Sequence, residues 1–102
     1  MTTEKMVFTL AFKTAARLNR LTQSKQVQLV EKLTAAFGGA TLTEHLGGYV
    51  ADNGRHDIEY SYTIELIGVR RAAALKAARA LASDNSQESF IFNGALVYTS
   101  KK

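Results

Sequence analysis

The sequence predicts an α+β fold of the ferredoxin-like (split βαβ) type: one antiparallel sheet, two helices on one face of it, and an added C-terminal hairpin strand. Three observations lead to this prediction. Period-two alternation indicates strands, two amphipathic stretches indicate helices, and these elements follow one another as strand, helix, strand, strand, helix, strand. The 102 residues suit a single ferredoxin-like domain, residues 1–102, with a core of its own.

Each element has its own signal along the chain. Thr22 or Ser24 can cap the first helix, and Gly38 follows its last turn. Asn-Gly pairs at 53–54 and 93–94 indicate turns between strands. The predicted strands are residues 6–12, 41–50, 57–67, 90–92 and 96–98, and the predicted helices are 22–37 and 69–83.

The composition excludes several kinds of chemistry. Without cysteine, the chain has no disulfide, no thiolate nucleophile and no cysteine-ligated zinc. It contains no long apolar run and begins without a secretory signal, so we expect no membrane partner and a cytoplasmic location. The net charge is +4, but the 13 Lys and Arg are scattered over predicted helix faces and loops. We therefore expect no nucleic-acid partner.

No metal site and no paired-carboxylate catalyst are expected. His45 and His56 are eleven residues apart, without cysteines and without helical spacing. Glu59 and Glu65 share one strand face, yet at about 3.3 Å per residue they lie roughly 20 Å apart, beyond the about 5–10 Å of a catalytic pair. Phosphate-binding glycine loops and nucleophile elbows are also missing from the sequence.

The remaining candidate site lies where the second and third strands face each other near their connecting loop. Gly47-Gly48 interrupts the second strand, and such glycines usually mark a bulge or the close approach of a ligand or another backbone. Tyr49 and Glu59 would come close there, and a carboxylate beside a phenol suits a cationic ligand with an aromatic group. In the alternative interpretation Glu59 is solvated, Tyr49 packs and the glycines form a bulge. The residues taken alone favour this alternative.

The same residues resemble a known family, the phage-encoded S-adenosylmethionine-degrading enzymes (SAMases, or SAM lyases, formerly described as SAM hydrolases). No single motif carries the resemblance; the order and spacing of several segments do. It extends from about residue 33 to 98, with a looser match at 7–12. The matching segments are Ala40–Tyr49 (ATLTEHLGGY), the strand around Glu59, Ala73–Arg79, Gln87-Glu88 and Gly94–Tyr98.

The resemblance implies an activity and an assembly. The substrate would be S-adenosylmethionine (SAM), cleaved without a cofactor to methylthioadenosine and homoserine lactone as the substrate's own carboxylate displaces the sulfonium. The enzyme would be a homotrimer of PII-like architecture with its sites between subunits. Its role would be anti-restriction: it would deplete the host's SAM, on which methylation and some restriction systems depend.

The resemblance also implies roles for particular residues. Tyr49 and Glu59 match the family's active-site tyrosine and glutamate, so Glu59 would face the substrate's positive charge and Tyr49 would orient its methionine moiety. Gly47 and Gly48 would let the backbone approach the ligand. Gln87-Glu88 would contact the adenosine.

Two other functions stay open at this point. One is a non-catalytic binding module, either a PII-like nucleotide binder or an RNA-recognition-type sheet. Against the RNA version, the third strand lacks the basic residue, glycine and aromatic pattern of such sheets, and Glu59 would repel phosphate. The other is a purely structural phage protein.

Overall fold

The computed structural model describes residues 4–50 and 52–100, and of Tyr49 only the backbone. These residues form five strands and two α-helices, with a short 3-10 turn at Arg17–Asn19 before the first helix. The elements are β1 (Lys5–Leu10), α1 (Gln23–Phe37), β2 (Thr41–Val50), β3 (His56–Ile67), α2 (Arg71–Asp84), β4 (Ser89–Phe92) and β5 (Ala95–Tyr98).

The strands form one antiparallel sheet in the order β2-β3-β1-β4-β5. Each helix connects two strands that have one other strand between them, which is the split βαβ arrangement. β5 extends the sheet beyond β4 through a hairpin. The predicted α+β, ferredoxin-like fold is therefore confirmed.

Both helices pack on the same face of the sheet, which we call the helix face. Strand alternation sends every second side chain of β1 and β4, and of β3 from Tyr62 to Leu66, into this layer, where they are buried. From α2, alanines spaced four residues apart face the sheet and allow close approach. The core residues include Met6, Phe8, Leu10, Leu33, Tyr62, Ile64, Leu66, Ala74, Ala78, Ala82, Phe90 and Phe92.

The ends of α1 follow the predicted signals. The Thr22 side-chain oxygen accepts a hydrogen bond from the Lys25 backbone N–H at 3.2 Å, which satisfies one of the free donors of the first turn. Gly38 ends the helix in the left-handed region, with φ 88°, where glycine has no steric penalty. Thr22, rather than Ser24, is thus the cap.

Apart from shifts of one residue at several boundaries, the structure differs from the sequence prediction in three places. β2 pairs with β3 over all ten of its residues, so Gly47-Gly48 neither interrupts the strand nor forms a bulge, and that prediction is wrong. α2 begins at Arg71 instead of Val69, because Gly68 has a φ of 76° and Arg70 is extended. β1 ends at Leu10, where its pairing with β3 ends.

No described helix covers the other side of the sheet, which we call the open face. Thr9 and Thr63 lie half-buried at its centre. Towards β5 the open face is apolar, with Ile91 and Leu96 paired across the β4–β5 hairpin and exposed at 40% and 56%. Neither described helix is long and apolar enough to cross a membrane.

Candidate active site

The candidate site lies on the long β2–β3 hairpin, near its tip. Gly47 is directly opposite Glu59 in the strand register, and Tyr49 is opposite Asp57. Tyr49 and Glu59 therefore hold diagonal positions across the two strands, at about 7–8 Å between such neighbours. The contact between the phenol and the carboxylate stays a prediction, because the Tyr49 side chain lies outside what the structure describes.

The carboxylates of Glu59 and Asp57 differ in their side-chain contacts. Glu59 is half-buried on the open face, and its side-chain carboxylate makes no hydrogen bond or ion pair with any described residue. The neighbouring acid is different: Asp57 accepts a hydrogen bond from Arg55 Nε at 2.9 Å. Of the two acids at this end of the hairpin, Glu59 is thus the one whose charge the described chain leaves uncompensated.

The two glycines differ in their surroundings. A Cβ at Gly47 would have no described atom within 4 Å, and Gly47 is not in the left-handed region, so neither packing nor backbone conformation requires glycine here. At Gly48 a Cβ would come within 3.5 Å of the Asp57 carbonyl oxygen and of an Ile58 side-chain carbon. Gly47 therefore leaves open space directly opposite Glu59, on the open face.

Gln87 and Glu88 lie at the same end of the sheet as Glu59, just before β4, with β1 between β4 and β3. The Gln87 side-chain amide donates to the Asn85 carbonyl at 3.1 Å, and the Glu88 carbonyl accepts from the Thr99 backbone N–H at 2.9 Å. The strand order therefore does not bring them next to Gly47 within one chain. Their role in adenosine binding stays a prediction.

A polar cluster that sequence reasoning missed joins the loop before α1 to the sheet. Glu44 accepts two hydrogen bonds from the Arg20 guanidinium, at 3.1 and 3.2 Å, and one from the Tyr62 hydroxyl at 2.8 Å. The Tyr62 hydroxyl in turn accepts from the Leu21 backbone N–H at 2.8 Å. Since the partners come from distant parts of the sequence, no local spacing indicates this cluster.

The cluster also changes the proton affinities of its members. The hydrogen bonds from Arg20 and then from Tyr62 lower the pKa of the Glu44 carboxyl below its ordinary value. Burial raises the pKa of the Tyr62 phenol, since the charged phenolate would be poorly solvated there. At neutral pH the cluster is thus a carboxylate held by a guanidinium and a neutral phenol. Its partners are all supplied by the chain, so it fixes structure.

A second polar group lies on the open face beside the candidate site. His45 Nε2 is 2.9 Å from the Thr63 hydroxyl, and the Thr63 hydroxyl is 2.8 Å from that of Thr9. These three residues belong to three adjacent strands. The sequence contains one signal for this group: alternation along β2 puts His45 on the same face as Gly47. The contact between His45 and Thr63 could not be predicted, because it depends on the register between β2 and β3.

Among the described residues, no group of histidine, aspartate and glutamate side chains is placed to hold a metal ion. On this part of the hairpin the described chain supplies the Glu59 carboxylate, the Arg55–Asp57 ion pair, the His45 imidazole and hydroxyls. Such groups can bind a cation and orient its polar ends.

Together, fold and site define a class: a split βαβ domain whose open face carries an uncompensated carboxylate on a long hairpin.

Two solved structures share this fold. A phage SAM lyase in complex with S-methyl-5'-thioadenosine matches with a TM-score of 0.59 and 18% identity, over 93% of this chain and 80% of that one. A phage SAM lyase in the apo state matches with a TM-score of 0.58 and 18% identity, over 93% and 79%.

Comparison with protein-family models and with curated proteins finds no match. At 18% identity, the likeness to the two phage SAM lyase structures concerns the fold. The shared fold confirms the resemblance to phage SAM lyases that was inferred from the sequence, as far as the fold is concerned.

Proposed function

We propose that this protein is a SAM lyase that cleaves SAM to 5'-methylthioadenosine and L-homoserine lactone. One observation carries the proposal: the Glu59 carboxylate has no partner among the described residues and lies opposite open space at Gly47. A free carboxylate beside room for a ligand suits a cationic substrate such as a sulfonium. The fold shared with phage SAM lyase supports the same reaction.

The proposed chemistry needs few groups from the protein. A carboxylate oxygen of SAM attacks the γ-carbon of its own methionine chain, the bond between this carbon and sulfur breaks, and its electron pair stays on sulfur. The products are a neutral thioether and a lactone that keeps its ammonium group, so no proton moves. The protein contributes by holding SAM folded with nucleophile and carbon in contact, and by excluding water that would compete.

Glu59 would act by binding the positive charge of SAM. A negative charge at the sulfonium itself stabilises the substrate more than the product, because the sulfonium charge disappears during the reaction. A negative charge at the ammonium, which persists, stabilises both equally. The ammonium is therefore the better partner for Glu59, with Tyr49 orienting the methionine chain and Gln87-Glu88 binding adenosine.

The proposal includes an assembly and a setting. The exposed apolar side chains of the open face would be covered in a PII-like homotrimer, with each site completed by a neighbouring subunit. In that arrangement Gln87-Glu88 of one subunit would reach the site of another. The enzyme would act in the host cytoplasm, as a phage counter to host methylation and restriction.

The test is incubation of the purified protein with SAM and a chelator, followed by chromatography of the products. We expect methylthioadenosine and homoserine lactone in equal amounts. Homoserine in place of the lactone at early times would indicate hydrolysis. Binding of SAM without turnover would favour the non-catalytic module, and unchanged SAM with no binding would refute the proposal.

A further inference from the structure

His45 is held in a fixed orientation on the open face although it is exposed. Its Nε2 lies 2.9 Å from the Thr63 hydroxyl, which lies 2.8 Å from the Thr9 hydroxyl. Both threonines are half-buried, and this chain of hydrogen bonds orients the ring, while either hydroxyl can donate or accept and so allows both tautomers. The other ring nitrogen, Nδ1, has no partner among the described residues.

The register places His45 next to Glu59. His45 is directly opposite Ser61, and Glu59 is the next residue of β3 on the same face. His45 and Glu59 are thus diagonal neighbours, at about 7–8 Å. Gly47 is the next residue after His45 on this face of β2 and lies directly opposite Glu59. It contributes no side chain, so the space beside His45 and Glu59 stays open.

This pair of groups matches the amino-acid end of SAM, where an ammonium and a carboxylate are attached to the same carbon. Glu59 can bind a cation, whereas an imidazole N–H can donate to an anion. We propose that His45, held by Thr63 and Thr9, donates a hydrogen bond from Nδ1 to the substrate carboxylate while Glu59 binds the ammonium. The inference rests on the proposed function and makes His45 a substrate-binding residue of that site.

The tautomer follows from the proposal. If the Nδ1–H donates to the substrate, Nε2 accepts from the Thr63 hydroxyl, and Thr63 in turn accepts from Thr9. One carboxylate oxygen is then held by His45 and the other is free to attack carbon. His45 thus orients the substrate carboxylate, which is the nucleophile, and it transfers no proton.

The experiment compares two unreactive ligands, S-adenosylhomocysteine and its decarboxylated derivative, by isothermal titration calorimetry. Neither is a sulfonium, so neither is cleaved. In His45→Ala we expect the affinity for S-adenosylhomocysteine to fall about tenfold, the size of one hydrogen bond to a charged group. The affinity for the decarboxylated ligand should change less than about twofold. His56→Ala, on the opposite face of the same hairpin, is the matched control.

Thr63→Val tests the support for the ring. It removes the hydroxyl that fixes His45 and keeps the shape of the side chain, so we expect a smaller loss for the same ligand and again none for its decarboxylated form. An equal loss for both ligands in His45→Ala would overturn the inference, as would no loss for either. If the wild-type protein cleaves SAM but His45→Ala behaves like wild type, only this inference fails. If wild type binds neither ligand and leaves SAM intact, the proposed function itself fails.

Discussion

At the level of single residues, the proposed function predicts that activity depends on the negative charge of Glu59. Glu59→Gln keeps the size and strand preference of the side chain but removes the negative charge that would bind the SAM ammonium. We expect kcat/KM for SAM to fall about a hundredfold, the size of a lost interaction between charged groups, with the circular dichroism spectrum unchanged.

Glu65→Gln is the matched control for this change. Glu65 lies on the same strand and the same face, six residues away, but its carboxylate already pairs at 3.1 Å with Nζ of Lys5, whose side chain is exposed to solvent. Such exposed ion pairs contribute little, so activity should stay within about twofold of wild type. Equal losses in both variants would mean that the charge of the whole face matters and that Glu59 has no specific role.

Glu44 gives a prediction about acid stability. Because Arg20 and Tyr62 lower its pKa in the folded protein, the ionised form of Glu44 stabilises the fold at pH values above the ordinary carboxyl pKa. This contribution is lost as the pH falls through the lowered pKa. Wild type should therefore unfold at a higher urea concentration than Glu44→Gln at pH 7, and the gap should shrink as the pH falls below the ordinary carboxyl pKa and through the lowered one. A gap that stays constant over this range would contradict the assignment.

At the level of elements, the β2–β3 hairpin determines the geometry of the candidate site. Gly47 is its most informative residue, because the described chain needs no glycine there. Gly47→Ala should leave the free energy of unfolding within about 0.5 kcal/mol of wild type, as for other unstrained surface changes. It should nevertheless lower kcat/KM about ten- to a hundredfold, since the added methyl group displaces a ligand bound opposite Glu59.

Gly39→Ala is the control for Gly47→Ala. Gly39 lies between α1 and β2, where a Cβ would also have no described atom within 4 Å, and its φ is not in the left-handed region. We expect Gly39→Ala to keep both stability and activity. Full activity in Gly47→Ala would show that no ligand approaches this part of β2.

The elements were predictable from the sequence where the signal is local. Alternation in β3, the Thr22 cap and Gly38 at the end of α1 all act within a few residues, and the structure has them as expected. The polar groups could not be predicted, because Glu44 with Arg20, and His45 with Thr63, meet through tertiary contacts and strand register. The interpretation of Gly47-Gly48 as a break failed because glycine in a strand is tolerated when the register is held on both sides.

At the level of the whole molecule, the sequence leads to one sheet with one covered face. The open face combines side chains from several strands, and these side chains together determine what can bind to it. One row of side chains crosses the open face from β2 to β5, and it is polar on the β2 side and apolar on the β5 side. Its members are Thr43, Thr63, Thr9, Ile91 and Leu96. Such a row is visible only once the strand order is known. It divides the open face into a polar half and an apolar half.

The last prediction concerns this apolar half. Ile91 is exposed at 40% on the open face and contributes to no buried core, so Ile91→Lys should leave the chain folded while placing a charge in the proposed subunit contact. We expect wild type to elute as a trimer and Ile91→Lys as a monomer in size-exclusion chromatography with light scattering, because an unpaired charge is costly to bury.

If each site is completed by a neighbouring subunit, the monomeric variant should also lose SAM cleavage, although Glu59, Gly47 and His45 are unchanged. Lys32→Ala, which removes a charge from exposed α1, should keep both assembly and activity. A monomeric Ile91→Lys with full activity would mean that one chain forms the whole site. In that case the apolar half of the open face has a purpose other than catalysis, and the adenosine contacts must be sought on the hairpin itself.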